Sequence, residues 1–72
     1  MLKLYYVLKP ILGEENTRSL FVYRIENNEP NNVINTYLYK GDDVPNFTKL
    51  EIETYILKEF SLQPDAVKFI SL

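Results

Sequence analysis

Cysteine, histidine and tryptophan are all absent from this chain, and glycine occurs only twice. Without cysteine there is no disulfide and no thiolate metal site. Without histidine, the commonest metal ligand and the side chain best suited to proton transfer near neutral pH are both missing. A nucleophilic serine or threonine would need lysine or a carboxylate as its base, and no spacing suggests such a pair. Gly13 and Gly41 are far apart, so no glycine-rich loop can cradle a phosphate. No apolar run approaches the ~20 residues of a membrane-spanning helix. The stretch Met1 to Leu12 is apolar, but Lys3, Lys9 and Pro10 interrupt it and no small-residue cleavage site follows, so it does not read as a signal peptide. These absences predict a cytoplasmic protein that is not an enzyme and uses no cofactor, no metal and no small-molecule substrate.

Charge of either sign is also modest. Eight basic and ten acidic residues give a net charge of −2, which supplies no overall attraction to nucleic acid or to an anionic membrane. A hydrophobic fraction of 46% and a charged fraction of 25% are ordinary for a globular protein. The 72 residues make one domain, 1–72. A domain of this size buries only about 60% of the surface of its unfolded chain, and small scaffolds usually add a disulfide, a metal or a partner subunit. With the first two excluded, self-association remains, and a homodimer is an expected state.

Four apolar segments and one helical segment are separated by turn chemistry. Leu2 to Leu8 alternates, with Leu2, Leu4, Tyr6 and Leu8 on one side and Lys3, Tyr5, Val7 and Lys9 on the other, the period of a half-buried strand. Gly13-Glu14-Glu15-Asn16 predicts a turn. Arg18 to Glu26 alternates again, with Phe21, Tyr23 and Ile25 set against Arg18, Leu20, Val22 and Arg24; the short connection favours an antiparallel hairpin. Asn27 to Asn32 reads as a polar loop. Val33 to Lys40 is rich in β-branched and aromatic residues and predicts a third strand whose faces are ambiguous, ended by Gly41-Asp42-Asp43.

Helix entry is the best-specified local feature. Thr48-Lys49-Leu50-Glu51 fits a capping box, and Phe47 with Ile52 fits a hydrophobic staple. The helix is predicted from about Lys49 to Ser61 or Leu62, ahead of Pro64. Ile52, Ile56 and Phe60 form one apolar ridge and Leu50 and Leu57 another. Glu53 falls between them, its stem packed and its carboxylate reaching the edge. Ala66 to Leu72 predicts a last strand. The order β-β-β-α-β defines an α+β fold, a mostly antiparallel four-stranded sheet with one helix packed on one face. If the third and fourth strands are parallel neighbours, their crossover is right-handed.

One helix covers one face. The larger apolar set, Leu2, Leu4, Tyr6, Leu8, Phe21, Tyr23, Ile25, Val67 and Phe69, is assigned to it. The uncovered face then carries Lys3, Tyr5, Lys9, Arg18, Leu20, Val22, Arg24 and Lys68, joined by Lys40 if Tyr37 and Tyr39 are core. A simple hairpin register would set Lys3 across from Arg24 and Lys9 across from Arg18, an unfavourable pairing of like charges unless something negative sits there.

Paired carboxylates at Glu14-Glu15 and Asp42-Asp43 read as solvated turn residues rather than an acid–base pair. Asn46-Phe47-Thr48 has the form of a glycosylation acceptor but reads as helix entry. In size, composition and lack of motifs the chain resembles small α+β accessory proteins of phages and other mobile elements, a likeness carried by no particular residue. The expected function is a protein-interaction module that binds a partner protein or itself through the uncovered face or a strand edge, with Tyr5, Leu20, Val22 and Arg24 as anchors. The alternative is a single-stranded nucleic-acid binder using the same basic and aromatic face.

Overall fold

A computed structural model describes residues 1–41 and 46–72, so the Asp42-Asp43 pair lies outside the described residues. Three strands, β1 (Leu2–Ile11), β2 (Glu14–Glu26) and β3 (Glu29–Tyr39), form a meander. Helix α1 (Lys49–Glu59) follows, and a 3-10 turn at Pro64–Ala66 leads into a short β4 (Val67–Phe69). The sheet order is β3-β2-β1-β4, with β4 parallel to β1 and the other pairs antiparallel. The β-β-β-α-β order and the α+β class are those read from the sequence. β3 and β4 are parallel but not neighbours; they flank the sheet, so the chain crosses β2 and β1 between them.

The turns explain two departures from the sequence reading. Leu12-Gly13 closes the first hairpin, with Gly13 at φ +83, a conformation that residues with a β-carbon rarely adopt. Beyond it the pairing shifts from Ile11–Glu14 to Pro10–Arg18, leaving extra β2 residues opposite a proline that has no amide to donate. The Arg18 guanidinium holds this irregularity by donating to the carbonyls of Glu15 (2.9 Å) and Thr17 (3.0 Å). Asn27 and Asn28, at φ 54 and 63, make a tight two-residue turn in which both central residues are left-handed. The stretch expected as a loop is therefore mostly strand, and β3 begins at Glu29 rather than Val33. Asn32, at φ 50, sits where the β2–β3 register shifts between Val22 and Arg24.

Leu4, Leu20, Val22, Leu38, Ile52, Ile56 and Val67 form the buried core between sheet and helix. The β1–β2 register pairs Leu4 with Arg24, Tyr6 with Val22 and Leu8 with Leu20, so even-numbered residues of both strands share the helix side. This corrects the assignment of β2. Leu20 and Val22, expected on the uncovered face, are 0% and 3% exposed; Phe21, Tyr23 and Ile25, expected in the core, lie on the open side. With a side-chain period of two, a shift of one residue in register exchanges every side chain between faces. The shift also removes an unfavourable alignment, because Lys9 now faces Ser19 and Arg18 faces Pro10.

The predicted capping box is present: the Glu51 amide donates to Thr48 Oγ1 and the Thr48 amide to Glu51 Oε1, both at 3.1 Å. Phe47 and Ile52 pack in the same cluster, as a staple requires. Lys40 Nζ bonds both Glu51 oxygens (2.9 and 3.0 Å) and the Asn46 carbonyl (2.8 Å), tying the end of β3 to the helix entry. Leu50, expected in a buried ridge, is 76% exposed. At the other end Leu62 donates to the Leu57 carbonyl and Ser61 to that of Lys58, a Schellman closure that places Ser61 at φ 53. The helix thus stops at Glu59, short of the predicted Ser61, and β4 spans Val67–Phe69 instead of running from Ala66 to Leu72.

Two stability measurements test these assignments. In chemical denaturation Leu20→Ala loses about 2–5 kcal/mol as a core truncation, whereas Phe21→Ala loses about 1 kcal/mol; the reverse order would place β2 in the opposite phase. Ser61→Gly relieves a left-handed serine and raises stability by about 0.5–1 kcal/mol, after allowance for the freer unfolded chain.

Candidate interaction surface

The face turned away from α1 is built from alternate residues of all four strands. Tyr5 and Tyr23 are cross-strand partners with ring centroids 5.7 Å apart. Val7 faces Phe21, and Lys9 Nζ sits 5.2 Å from the centre of the Phe21 ring. On β3, Asn35 lies opposite Phe21, Tyr37 opposite Ser19 and Tyr39 opposite Thr17. Asn35 Nδ2 donates to Ser19 Oγ (2.8 Å) and the Leu20 carbonyl (3.2 Å), fixing the polar centre of the surface. β4 adds Lys68 directly beside Lys3. Tyr5, Val7, Phe21, Tyr23 and Ile25 are half-buried by one another, while Val33, Tyr37 and Tyr39 are more than half exposed.

Of the residues predicted for this face, Lys3, Tyr5, Lys9 and Lys68 are on it. Arg18, Leu20, Val22, Arg24 and Lys40 are on the helix side. Leu20 and Val22 are core, and the three cations already serve the fold. Arg18 closes the β2 irregularity, Arg24 pairs with Glu26 at 3.1 Å, and Lys40 pairs with Glu51. Sequence reading assigned Phe21, Tyr23 and Ile25 to the core and left the face of Val33, Tyr37 and Tyr39 open; the structure places all six on this side. The available signal was the repulsion in the assumed register, which the opposite phase of β2 relieves.

The electrostatics of the two faces differ. Lys3, Lys9 and Lys68 take part in neither of the ion pairs found among the described residues. No acidic residue lies between Lys3 and Lys9, Thr17 and Ile25, Val33 and Tyr39, or Val67 and Ile70. Glu51, Glu53 and Glu59 all sit on the helix. Lys40 beside Glu51 holds that carboxyl below the usual carboxylate range, with the Thr48 amide adding to the effect.

On the helix side, Tyr6 donates to Glu53 Oε2 at 2.9 Å and packs edge-on to Phe69, with centroids 5.7 Å apart. The Glu53 stem lies against the sheet and its carboxylate finds a partner at the rim, which explains an acid between two apolar ridges. This pair borders a shallow cleft of about 440 Å³ that also takes in Lys49, Ile70 and Leu72. Burial, and then the neighbouring Glu53 carboxylate, push the Tyr6 hydroxyl up to about 12, so at neutral pH it is a protonated donor. Among the described residues no cluster of acidic side chains could hold a metal ion, and no helix is long and apolar enough to cross a membrane.

Comparison of the chain with protein-family models, curated proteins and solved structures gives no match.

The Tyr6–Glu53 bond is open to titration. Because the folded protein holds the Tyr6 proton more tightly than the unfolded chain, the associated stability is complete below pH 10 and drains away as the pH rises toward 12. Ultraviolet titration should resolve one late tyrosine, and Glu53→Gln should lower its pKa while leaving it above 10, since burial is the larger cause.

Proposed function

We propose that the protein is a non-enzymatic interaction module whose open sheet face docks a partner protein with an apolar contact surface and acidic side chains around it. The observation that carries this reading is the composition of the face: Tyr5, Val7, Phe21, Tyr23 and Tyr37 lie among Lys3, Lys9 and Lys68, with no acid interspersed. Aromatic residues in the centre of a patch supply most of the binding energy at protein interfaces, and a cationic surround steers and orients an anionic partner. Lys3 beside Lys68 is a like-charge pair, disfavoured in the free protein and relieved when a carboxylate sits between them. A copy of the same face is a poor occupant, since it would bring three lysines against three.

The pairing of lysines with aromatic rings on a sheet also favours a second reading, single-stranded nucleic acid. Bases would stack on Tyr5, Phe21 or Tyr23 while the lysines follow the phosphates.

Affinity capture from host extract, comparing the wild type with Lys3→Glu/Lys68→Glu and with Tyr23→Ala, tests the first reading. A partner held by the wild type should be lost from the charge-reversed variant and bind Tyr23→Ala at least about tenfold more weakly. Equal retention by all three would remove the open face from consideration. A titration of tyrosine fluorescence with oligothymidylate separates the second reading. Binding whose log affinity falls with log salt at a slope of about −2, as three phosphate contacts require, would favour nucleic acid over protein.

A further inference from the structure

Among the described residues, four of the eight large hydrophobic side chains that stand exposed, Val33, Ile34, Tyr37 and Tyr39, belong to β3, and a fifth, Leu50, flanks it from α1. The remaining three, Met1, Leu12 and Leu72, lie outside the regular elements. Exposed apolar surface is therefore concentrated along one edge of the sheet. β3 is an edge strand, paired only with β2. The Lys40 amide donates to the Asn16 carbonyl at 2.9 Å, which sets the phase of the ladder. From Ile34 onward the even-numbered residues of β3 bond inward to β2, and Asn35, Tyr37 and Tyr39 turn their N–H and C=O groups outward, with Val33 at the register shift just before them.

Edge strands are ordinarily blunted by lysine, proline or a bulge. The other open edge follows this rule, because β1 beyond its short pairing with β4 carries Lys9 and Pro10. On β3 the proline precedes Val33, the bulge lies at Asn32-Val33 where the run begins, and the first charge after it is Lys40. Between them runs Val33-Ile34-Asn35-Thr36-Tyr37-Leu38-Tyr39, uncharged and high in β propensity.

We infer that this edge pairs with the β3 of a second copy, antiparallel about Thr36. Charge selects the occupant. The open face carries three lysines that are in no ion pair among the described residues and repels its own copy, whereas the β3 run carries no charge. A two-fold axis at Thr36 overlaps the whole run with itself and uses the outward groups of its odd residues. Ile34 then meets Leu38 on the helix side, and Val33 meets Tyr39 on the open side. The axis stands normal to the sheet, so both open faces emerge on the same side of a continuous eight-stranded sheet, and the exposed Leu50 of each copy gains cover. Tyr55 already donates to the outward carbonyl of Tyr37 at 2.9 Å. A carbonyl oxygen has two lone pairs, so this bond leaves one for the incoming strand. The surface is separate from the Tyr5–Tyr23 centre of the open face, and the pairing does not depend on what that centre binds.

Light scattering through a dilution series tests the pairing with two charge variants that leave the core untouched. Wild type should give twice the mass of one chain, and its Asn35, Tyr37 and Tyr39 amides should exchange more slowly as concentration rises. Val33→Lys/Tyr39→Lys places lysine opposite lysine twice and should halve the mass with an unchanged circular dichroism spectrum. Val33→Lys/Tyr39→Glu places lysine opposite glutamate twice in this register alone and should restore the doubled mass. A wild type that is monomeric at its highest soluble concentration would overturn the inference. So would a dimer unaffected by the two lysines, or one that the lysine–glutamate variant fails to restore.

Discussion

The alignment of β1 against β2 decides almost everything else about this molecule. Leu8 against Leu20 and Tyr6 against Val22 bring the smaller aliphatic side chains of β2 under the helix, where Ile52 and Ile56 complete a compact core. The same alignment expels Phe21 and Tyr23, so the most aromatic part of β2 is left without a covering layer. One helix cannot cover both faces of four strands, and the register chooses which set goes uncovered. In a period-two structure there is no intermediate choice.

The cations divide along the same line. Arg18, Arg24 and Lys40, on the helix side, are each engaged locally, in closing an irregular strand, pairing with Glu26 and anchoring the helix entry. Lys9, on the other side, faces Ser19 and lies over Phe21, and Lys3 stands beside Lys68. The chain is weakly acidic as a whole, yet one of its faces is cationic. Net charge conceals this arrangement because the acids among the described residues gather on the helix, in the 3-10 turn and at strand ends.

Local chemistry was legible in the sequence where a single short-range rule governed it. Thr48 and Glu51 predict their own reciprocal bonds, Pro64 marks the far side of the helix exit, and the period of β1 assigns its two faces without ambiguity. What was not legible depended on tertiary pairing. Both phases of β2 are apolar, so periodicity shows a strand without showing which side is inward, and the absence of charge among Phe21, Tyr23 and Ile25 favoured the wrong one. Asn27 and Asn28 looked like loop residues because asparagine serves both loops and tight left-handed turns. Of the surface residues singled out from sequence, those on β1 and β4 lie where expected. Those on β2 do not, since their placement followed from the assumed register, and Lys40 was tied to the faces of β3, which the sequence left open.

The pairing of Leu2 with Val67 joins strands that are remote in sequence, whereas the rest of the sheet is made of hairpins between neighbours. Local pairings close quickly and distant ones slowly. During synthesis, which proceeds from the N-terminus, the meander can assemble while the residues of the helix and β4 are still inside the ribosome. Until they emerge, Leu4, Leu20 and Val22 have no lid, and the nascent sheet is apolar on both sides. Packing of α1 and β4 thus turns a meander that is apolar on both sides into a sheet with one interior.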